Sequence, residues 1–381
     1  MPIPRTLFNE EHHLFRGVVK DFYQKEIVPY HDQWEKDQQI SREAWLKAGE
    51  SGFLCTGIPP EYGGSGMDFL YSVILAEELV KTGCSGPGYG LHSDIAAPYI
   101  LHYGSEELKK KWLPKMATGE VICAIAMTDP SAGSDLQGIK TSAIKQGNNY
   151  LLNGTKTFIT NGYMCDLVIV VAKTDPGAGA AGISLLLVDA TMKGFTKGKP
   201  LHKLGLKAQD TCELFFDNVI VPEGNLLGGE GQGFFYLMNE LPQERLLVGI
   251  LSLSIAEATL EHTIKYTKER TLFGKTISQF QHNRFKLAEM LTEVQMSRIF
   301  IDKCIELHCE KKLDVATAAM AKYAVSDMAC KVVDECLQLH GGYGYMWDYF
   351  VAKAYADVRV QKIYAGSNEV MKELIARTLL A

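Results

Sequence analysis

Several segments of this 381-residue chain carry residue types whose spacing could do chemistry. The run Ala126-Met127-Thr128-Asp129-Pro130-Ser131-Ala132-Gly133-Ser134-Asp135 combines small residues and hydroxyls. An extended loop of that kind leaves backbone N–H groups free to meet an anion or a polar ring edge. Taken alone it could equally be a solvated turn. Phe158-Ile159-Thr160-Asn161-Gly162 pairs an aromatic face with a nearby hydroxyl, or is simply a strand ending in a turn. Arg270-Thr271-Leu272-Phe273-Gly274-Lys275, followed by Phe280-Gln281, sets a guanidinium beside a glycine-containing turn. A guanidinium fork can donate two parallel hydrogen bonds to a pyrophosphate, although a lone arginine is more often surface charge. In Gln338-Leu339-His340-Gly341-Gly342-Tyr343-Gly344 the glycines suit a helix C-cap. Neither these glycines nor Gly228-Gly229-Glu230-Gly231-Gln232-Gly233 forms a dinucleotide fingerprint, because no strand precedes them.

Three carboxylates could act as a base. Glu240 and Glu244 lie four residues apart in Glu240-Leu241-Pro242-Gln243-Glu244-Arg245 and would share one helical face. An arbitrary pair of this kind is usually solvated. Glu369 closes Ile363-Tyr364-Ala365-Gly366-Ser367-Asn368-Glu369. For any of them, withdrawal from water would raise the pKa toward that of a useful proton acceptor.

The elements that must position these residues change in character twice. From Asn9 to about Thr118 the apolar period is helical, with Phe15, Val18, Val19 and Phe22 on one stripe and a helix start at Ser41. From about Val121 the texture is β. Tyr150-Leu151-Leu152 and Thr155 to Thr160 read as a hairpin turning at Asn153-Gly154, a pair that suits a type I′ turn. Leu167–Ala172, Ile183–Val188 and Leu214–Val221 read as further strands. From Gly233 long helical stripes return, such as Leu287, Leu291, Val294, Ile301 and Ile305. The expected fold class is α+β with three domains. These are an N-terminal helical domain (1–121), a middle β-barrel-like domain (122–227) and a C-terminal bundle of about four long helices (228–381).

A formal net charge of -6 weighs against nucleic acid as the main partner. The nine cysteines form no Cys-x-x-Cys and the ten histidines no metal-binding spacing, so core thiols and no metal site are expected. Met1 to Val19 lacks the apolar run of a signal peptide and is too acidic for a transit peptide. No stretch of about 18 apolar residues is evident. The expected setting is the bacterial cytoplasm, or the mitochondrial matrix for a processed eukaryotic chain.

The motifs quoted above follow one another in the order and spacing of the acyl-CoA dehydrogenases, and the chain resembles that family over nearly its whole length. Cys84-Ser85-Gly86-Pro87-Gly88, Gly138-Ile139-Lys140-Thr141 and Leu201-His202-Lys203-Leu204-Gly205-Leu206-Lys207-Ala208-Gln209-Asp210 look most like the long-chain branch. In such enzymes a carboxylate removes the α-proton of an acyl thioester while the β-hydrogen leaves as hydride to flavin N5. Many members carry that glutamate just after the tyrosine of the C-terminal motif, where this chain has Ala365. The resemblance moves the base to Glu244, as in the long-chain and isovaleryl branches, and leaves the Ala365 N–H and a flavin ribityl hydroxyl to polarise the thioester carbonyl.

The same resemblance implies FAD as cofactor, with Ile125, Met127, Thr128, Gly133, Ser134, Phe158, Ile159 and Thr160 around the flavin. Many members have Trp where this chain has Phe158. Arg270, Phe273, Gln281, Gln338, Leu339, Gly341 and Gly342 would meet the FAD of a neighbouring subunit, and Ser367, Asn368 and Glu369 complete the cofactor contacts. Ser134, Phe235, Pro242, Gln243, Arg245, Ala365 and Gly366 would follow the acyl and CoA path. The implied partners are an acyl-CoA, an electron-transfer flavoprotein and three further copies in a homotetramer (a dimer of dimers), with no nucleic acid or membrane. An isovaleryl-type dehydrogenase is the nearest rival reading. A non-catalytic flavoprotein or DNA-binding relative is the rival of a different class.

Overall fold

At four helix starts in the N-terminal region a side chain satisfies a free N–H group of the first turn. The computed structural model describes residues 3–380. Helix α1 (Glu10–Glu26) starts where Asn9 accepts from the His12 N–H, α2 (His31–Asp37) follows, and α3 (Arg42–Glu50) starts where Ser41 accepts from the Ala44 N–H. Asp68 caps α4 (Phe69–Lys81) and Ser105 caps α6 (Glu106–Ala117). Between them a π-helical turn, Leu91–Ala96, runs into α5 (Ala97–Tyr103). Val19, Tyr23, Trp45, Phe53 and Ile74 form the core of this region.

The middle region is one seven-stranded sheet: β1 (Cys123–Ala126), β2 (Ser142–Gln146), β3 (Asn149–Thr160), β4 (Leu167–Lys173), β5 (Ile183–Asp189), β6 (Phe195–Lys197) and β7 (Thr211–Pro222). The strand order is β1-β4-β2-β3-β7-β6, with β5 on the other edge of β4. Strand β1 runs parallel to β4, and β3 and β7 are the long antiparallel pair. Strands β4 and β5 are buried on both faces. Leu167, Ile169, Leu185 and Leu187 pack toward Leu113, Met116 and Leu237 of the helices. Val168, Val170, Leu186 and Val188 pack on Tyr150, Leu152, Leu214 and Val219, so the sheet curls over a core of its own.

The expected turn at Asn153-Gly154 is not there. Residues 149 to 160 form one continuous strand, and the hairpin lies earlier, where Gly147 takes the left-handed conformation (φ 59°) between β2 and β3. Asn153-Gly154 instead makes a bulge, with the register to β7 slipping between Leu152 and Gly154. Gly154 passes so close to Thr141 that a Cβ would sit 2.5 Å from the Thr141 hydroxyl. An Asn-Gly pair serves a bulge as well as a turn, because both require a residue free of side-chain clashes.

The C-terminal region holds three long helices and two shorter ones, not four long ones. Helix α7 (Gly233–Glu269) has 37 residues; the small hairpin β8 (Thr271–Leu272) and β9 (Lys275–Thr276) joins it to α8 (Gln281–Cys309). Helix α9 (Val315–His340) ends at Gly341, and α10 (Phe350–Val358) and α11 (Asn368–Leu380) follow. Gly341, at positive φ, ends α9, and Ala365 and Gly366, also at positive φ, lie in the turn that separates α10 from α11. Helix α7 is apolar almost all round, as a central helix should be, and packs through Leu246, Ile250, Leu253 and Leu260. It is long and apolar enough to cross a membrane by composition, but its most apolar 18-residue window is 72% buried in the fold.

Candidate active site

A cavity of about 910 Å³ lies where the three regions meet. Its walls come from α4, the segment around the π-helical turn, the 125–137 loop, the end of β3, one face of α7, and the stretch from α10 into α11. Of the residues singled out from sequence, Ile125, Met127, Thr128, Gly133, Ser134, Phe158, Ile159, Thr160, Glu244, Arg245, Ala365, Gly366 and Glu369 line it.

The three candidate carboxylates sit in different environments. Glu244 is 5% exposed on α7, and its Oε1 accepts from the Tyr99 hydroxyl at 2.9 Å. Burial pushes its pKa up to about 7, against the opposing influence of the Tyr99 hydrogen bond and the Arg245 charge. A carboxylic acid poised near neutrality inside a cavity suits a general base. Glu240 is turned away from the cavity, its Oε1 2.8 Å from the Tyr103 hydroxyl and 2.9 Å from His102 Nδ1. Glu369 is exposed at the rim. A bond from its own backbone N–H and one from Ser367 hold its carboxyl below the usual range, which makes it a weak base. Arg245, beside Glu244, is 4% exposed and makes no ion pair among the described residues, and its buried Nε has no hydrogen-bond partner.

In the turn before α11, which also lines the cavity, Ala365 has φ 54° and Gly366 φ 90°. The Ala365 N–H donates to no acceptor among the described residues. Buried Lys322 on α9 holds this turn, its Nζ donating to the Gly366 carbonyl and to Asn368 Oδ1, each at 2.8 Å. Asn368 in turn donates to Ser326 Oγ and Asp327 Oδ1, each at 3.0 Å. Ser367 and Asn368 thus shape the turn without lining the cavity.

The 125–137 loop and the end of β3 are locked together by a buried pair. Lys156, with no solvent exposure, places Nζ 2.6 Å from Asp129 Oδ1 and 2.7 Å from the Met127 carbonyl. Asp129 Oδ2 also accepts the Lys140 and Thr141 N–H groups, at 2.6 and 2.8 Å. The N–H groups of Thr128, Gly133 and Ser134 make no hydrogen bond among the described residues. Beside them the β3–β7 register slips between Lys156 and Ile159, and Phe158 takes φ 59° with 69% of its surface exposed. A bulky residue in that conformation marks local strain of the kind found at ligand clamps. The free N–H groups and the offered ring form a cradle that fits a polar-edged planar group such as a flavin.

A second group of sequence candidates gathers away from the cavity, at the end of the bundle. The Arg270 guanidinium lies 5.6 Å from the Tyr343 ring, one residue past Gly342, and makes no ion pair among the described residues. Phe273, in the β8–β9 turn, is 93% exposed at φ 51°. Gln281 opens α8, while Gln338 and Leu339 lie in the last turn of α9 before Gly341.

Three expected substrate contacts do not reach the cavity wall. Phe235 is exposed on the first turns of α7, where Phe234 and Met238 face inward instead, and Pro242 lies off the lining. Gln243 acts indirectly, its Nε2 donating to the Asp94 carbonyl at 2.5 Å. Sequence reading missed Tyr99, Lys156, Lys322 and Asp94. Only Lys156 left a trace, a lysine inside a β-patterned segment at a position the alternation buries.

Models of the acyl-CoA dehydrogenase N-terminal, middle and C-terminal domains match residues 9–120, 124–219 and 231–380. The chain belongs to the acyl-CoA dehydrogenase family. As a member of that family it is an oxidoreductase. It is 52% identical over 379 residues to the mitochondrial long-chain specific acyl-CoA dehydrogenase of Rattus norvegicus, covering 99% of this chain and 88% of that one. It is 37% identical to the mitochondrial isovaleryl-CoA dehydrogenase of Pongo abelii, covering 98% and 89%. The crystal structure of an acyl-CoA dehydrogenase from Geobacillus kaustophilus superimposes with a TM-score of 0.97 at 52% identity, covering 99% of this chain and all of that one.

Proposed function

We propose that this acyl-CoA dehydrogenase is FAD-dependent and converts medium- and long-chain saturated acyl-CoA to trans-2-enoyl-CoA, with Glu244 as the base. The observation that carries the reading is the buried Glu244 on the wall of a cavity that is also lined by a turn with an unused N–H. A thioester α-proton is far too weakly acidic for a carboxylate in water. Donation from the Ala365 N–H to the thioester carbonyl stabilises the developing enolate, and burial strengthens Glu244 as acceptor. Tyr99 holds the carboxylate in place and tempers its basicity. Lys322 fixes the turn that presents the N–H.

The cradle of Thr128, Gly133, Ser134, Phe158 and Thr160 would hold the isoalloxazine, and bound FAD would supply the acceptor for the β-hydrogen. Phe158 would cover the ring face that an indole covers in many relatives. Arg270, Phe273, Gln281 and the Gln338–Gly342 segment, gathered on a separate surface, suit the FAD of a second copy in a homotetramer. An electron-transfer flavoprotein is the proposed acceptor, in fatty acid β-oxidation.

The cavity wall bears on chain length. Beyond Glu244 it continues along α7 through Leu247, Val248, Leu251 and Ile255, against Leu75, Leu79 and Val80 of α4. That apolar rail exceeds what a five-carbon branched acyl group needs, and the 52% identity to a long-chain relative points the same way. Under anaerobic conditions, flavin bleaching should be fastest with medium or long saturated acyl-CoA in a series from isovaleryl- to palmitoyl-CoA. A preference for isovaleryl-CoA would overturn the chain-length assignment, and colourless protein or no bleaching with any acyl-CoA would overturn the activity.

A further inference from the structure

An alkyl chain has no use for a carboxylate, yet besides Glu244, the rim acids and Asp357, which accepts from the Leu206 N–H, the apolar cavity carries one more. Asp94 lines it from the π-helical turn Leu91–Ala96, a local distortion that is frequent at functional sites. The residue is half-buried and lines the cavity. It sits against the α7 rail: Gln243, just before Glu244, donates to its carbonyl, and Leu247 and the Asp94 carboxylate both approach Gly90.

Two hydroxyls accompany it on the wall. Ser72 Oγ donates to Asp94 Oδ1 at 2.6 Å, and Thr56 Oγ1 lies 3.3 Å from Ser72 Oγ. Asp94 forms no ion pair, and its Oδ2 accepts from nothing among the described residues. Burial pushes its pKa up to about 6, so at neutral pH it is mostly the acceptor-only carboxylate. Oδ2 is therefore an acceptor offered to the cavity, and a leucine here would complete the apolar rail with no carboxylate to desolvate.

We propose that Asp94, with Ser72 and Thr56, is a subsite for a hydroxyl group carried on the acyl chain beyond the reacting carbons, so that hydroxylated acyl-CoA is a substrate class of this enzyme. A hydroxyl donates one hydrogen bond, to Oδ2, and accepts one from a neighbouring side-chain hydroxyl, which is what the wall provides. An ammonium would need three acceptors, and a second carboxylate on the chain would be repelled. The inference rests on the acyl-CoA reading of the cavity.

The test compares palmitoyl-CoA with a positional series of monohydroxypalmitoyl-CoA isomers, substituted from mid-chain to the terminus. Calorimetric binding and kcat/KM are measured on the FAD-loaded enzyme and on Asp94→Leu and Asp94→Asn. In the wild type one isomer should exceed palmitoyl-CoA by roughly 10-fold or more in both measures, the size of one hydrogen bond to a charged group. Asp94→Leu should reverse that ratio, and Asp94→Asn, which keeps the shape, should reduce it. A wild type that favours palmitoyl-CoA over every isomer, or a ratio unchanged in both variants, would overturn the subsite. A hydroxyl preference in binding without turnover of any acyl-CoA would support the subsite while removing the dehydrogenase assignment.

Discussion

Replacing Tyr99 by Phe removes one hydroxyl from a fully buried ring and leaves its packing intact. That hydroxyl donates to Glu244 at 2.9 Å and is the largest influence holding the Glu244 pKa down to about 7 against burial. A hydrogen bond to a charged group contributes about 1.5–3 kcal/mol, equivalent to about one to two pKa units. In Tyr99→Phe the carboxylate should therefore titrate between about 8 and 9. The base works only when ionised, so activity rises with pH through that value. At pH 7 about half of the wild-type enzyme carries ionised Glu244, against roughly 1–10% of the variant, so kcat/KM should fall about 5- to 50-fold. Near pH 9.5 most of the loss should be recovered. The assay is the pH profile of kcat/KM for palmitoyl-CoA, which reports the free enzyme. An acidic limb that stays near pH 7, or a loss equal at all pH values, would refute the role given to Tyr99 and to the buried carboxylate.

Two further outcomes are expected. Lys156→Met leaves Asp129 buried without its cation, a loss of about 3–5 kcal/mol; it should lower the melting temperature and the FAD content of purified protein, and unchanged values of both would dismiss Lys156 as the lock of the cradle. Glu244 also carries a stability signature: with its folded pKa raised from 4.5 to about 7, stability present below about pH 4.5 is lost as pH rises through 7, by about 3 kcal/mol. Glu244→Gln should escape that loss and become the more stable protein above pH 7 in urea denaturation, and parallel curves across pH would contradict it.

The order helices, strands, helices was legible because each region keeps its own hydrophobic period. The acids were legible as a set, but their ranking depends on neighbours distant in sequence. Tyr99 lies 145 residues from Glu244, and the His102–Tyr103 contacts that turn Glu240 away are equally remote. Local chemistry misled at Asn153-Gly154, where tertiary pairing with β7 turned a strong turn signal into a bulge. Phe235 was one residue out of phase on α7; about 100° of helical rotation separates it from Phe234, which faces the cavity. Asp94 left no sign in the sequence, because an aspartate among small residues reads as a loop and only the fold brings it to an apolar wall.

The most direct measurement is anaerobic stopped-flow reduction of the bound flavin by palmitoyl-CoA in wild type and Glu244→Gln, both loaded with FAD. The wild type should bleach, and the variant should retain FAD and its substrate affinity while its reduction rate falls by at least about 10²–10⁴-fold. Bleaching of Glu244→Gln at a rate near that of the wild type would contradict the assignment of the base and return Glu369 or Glu240 to that role.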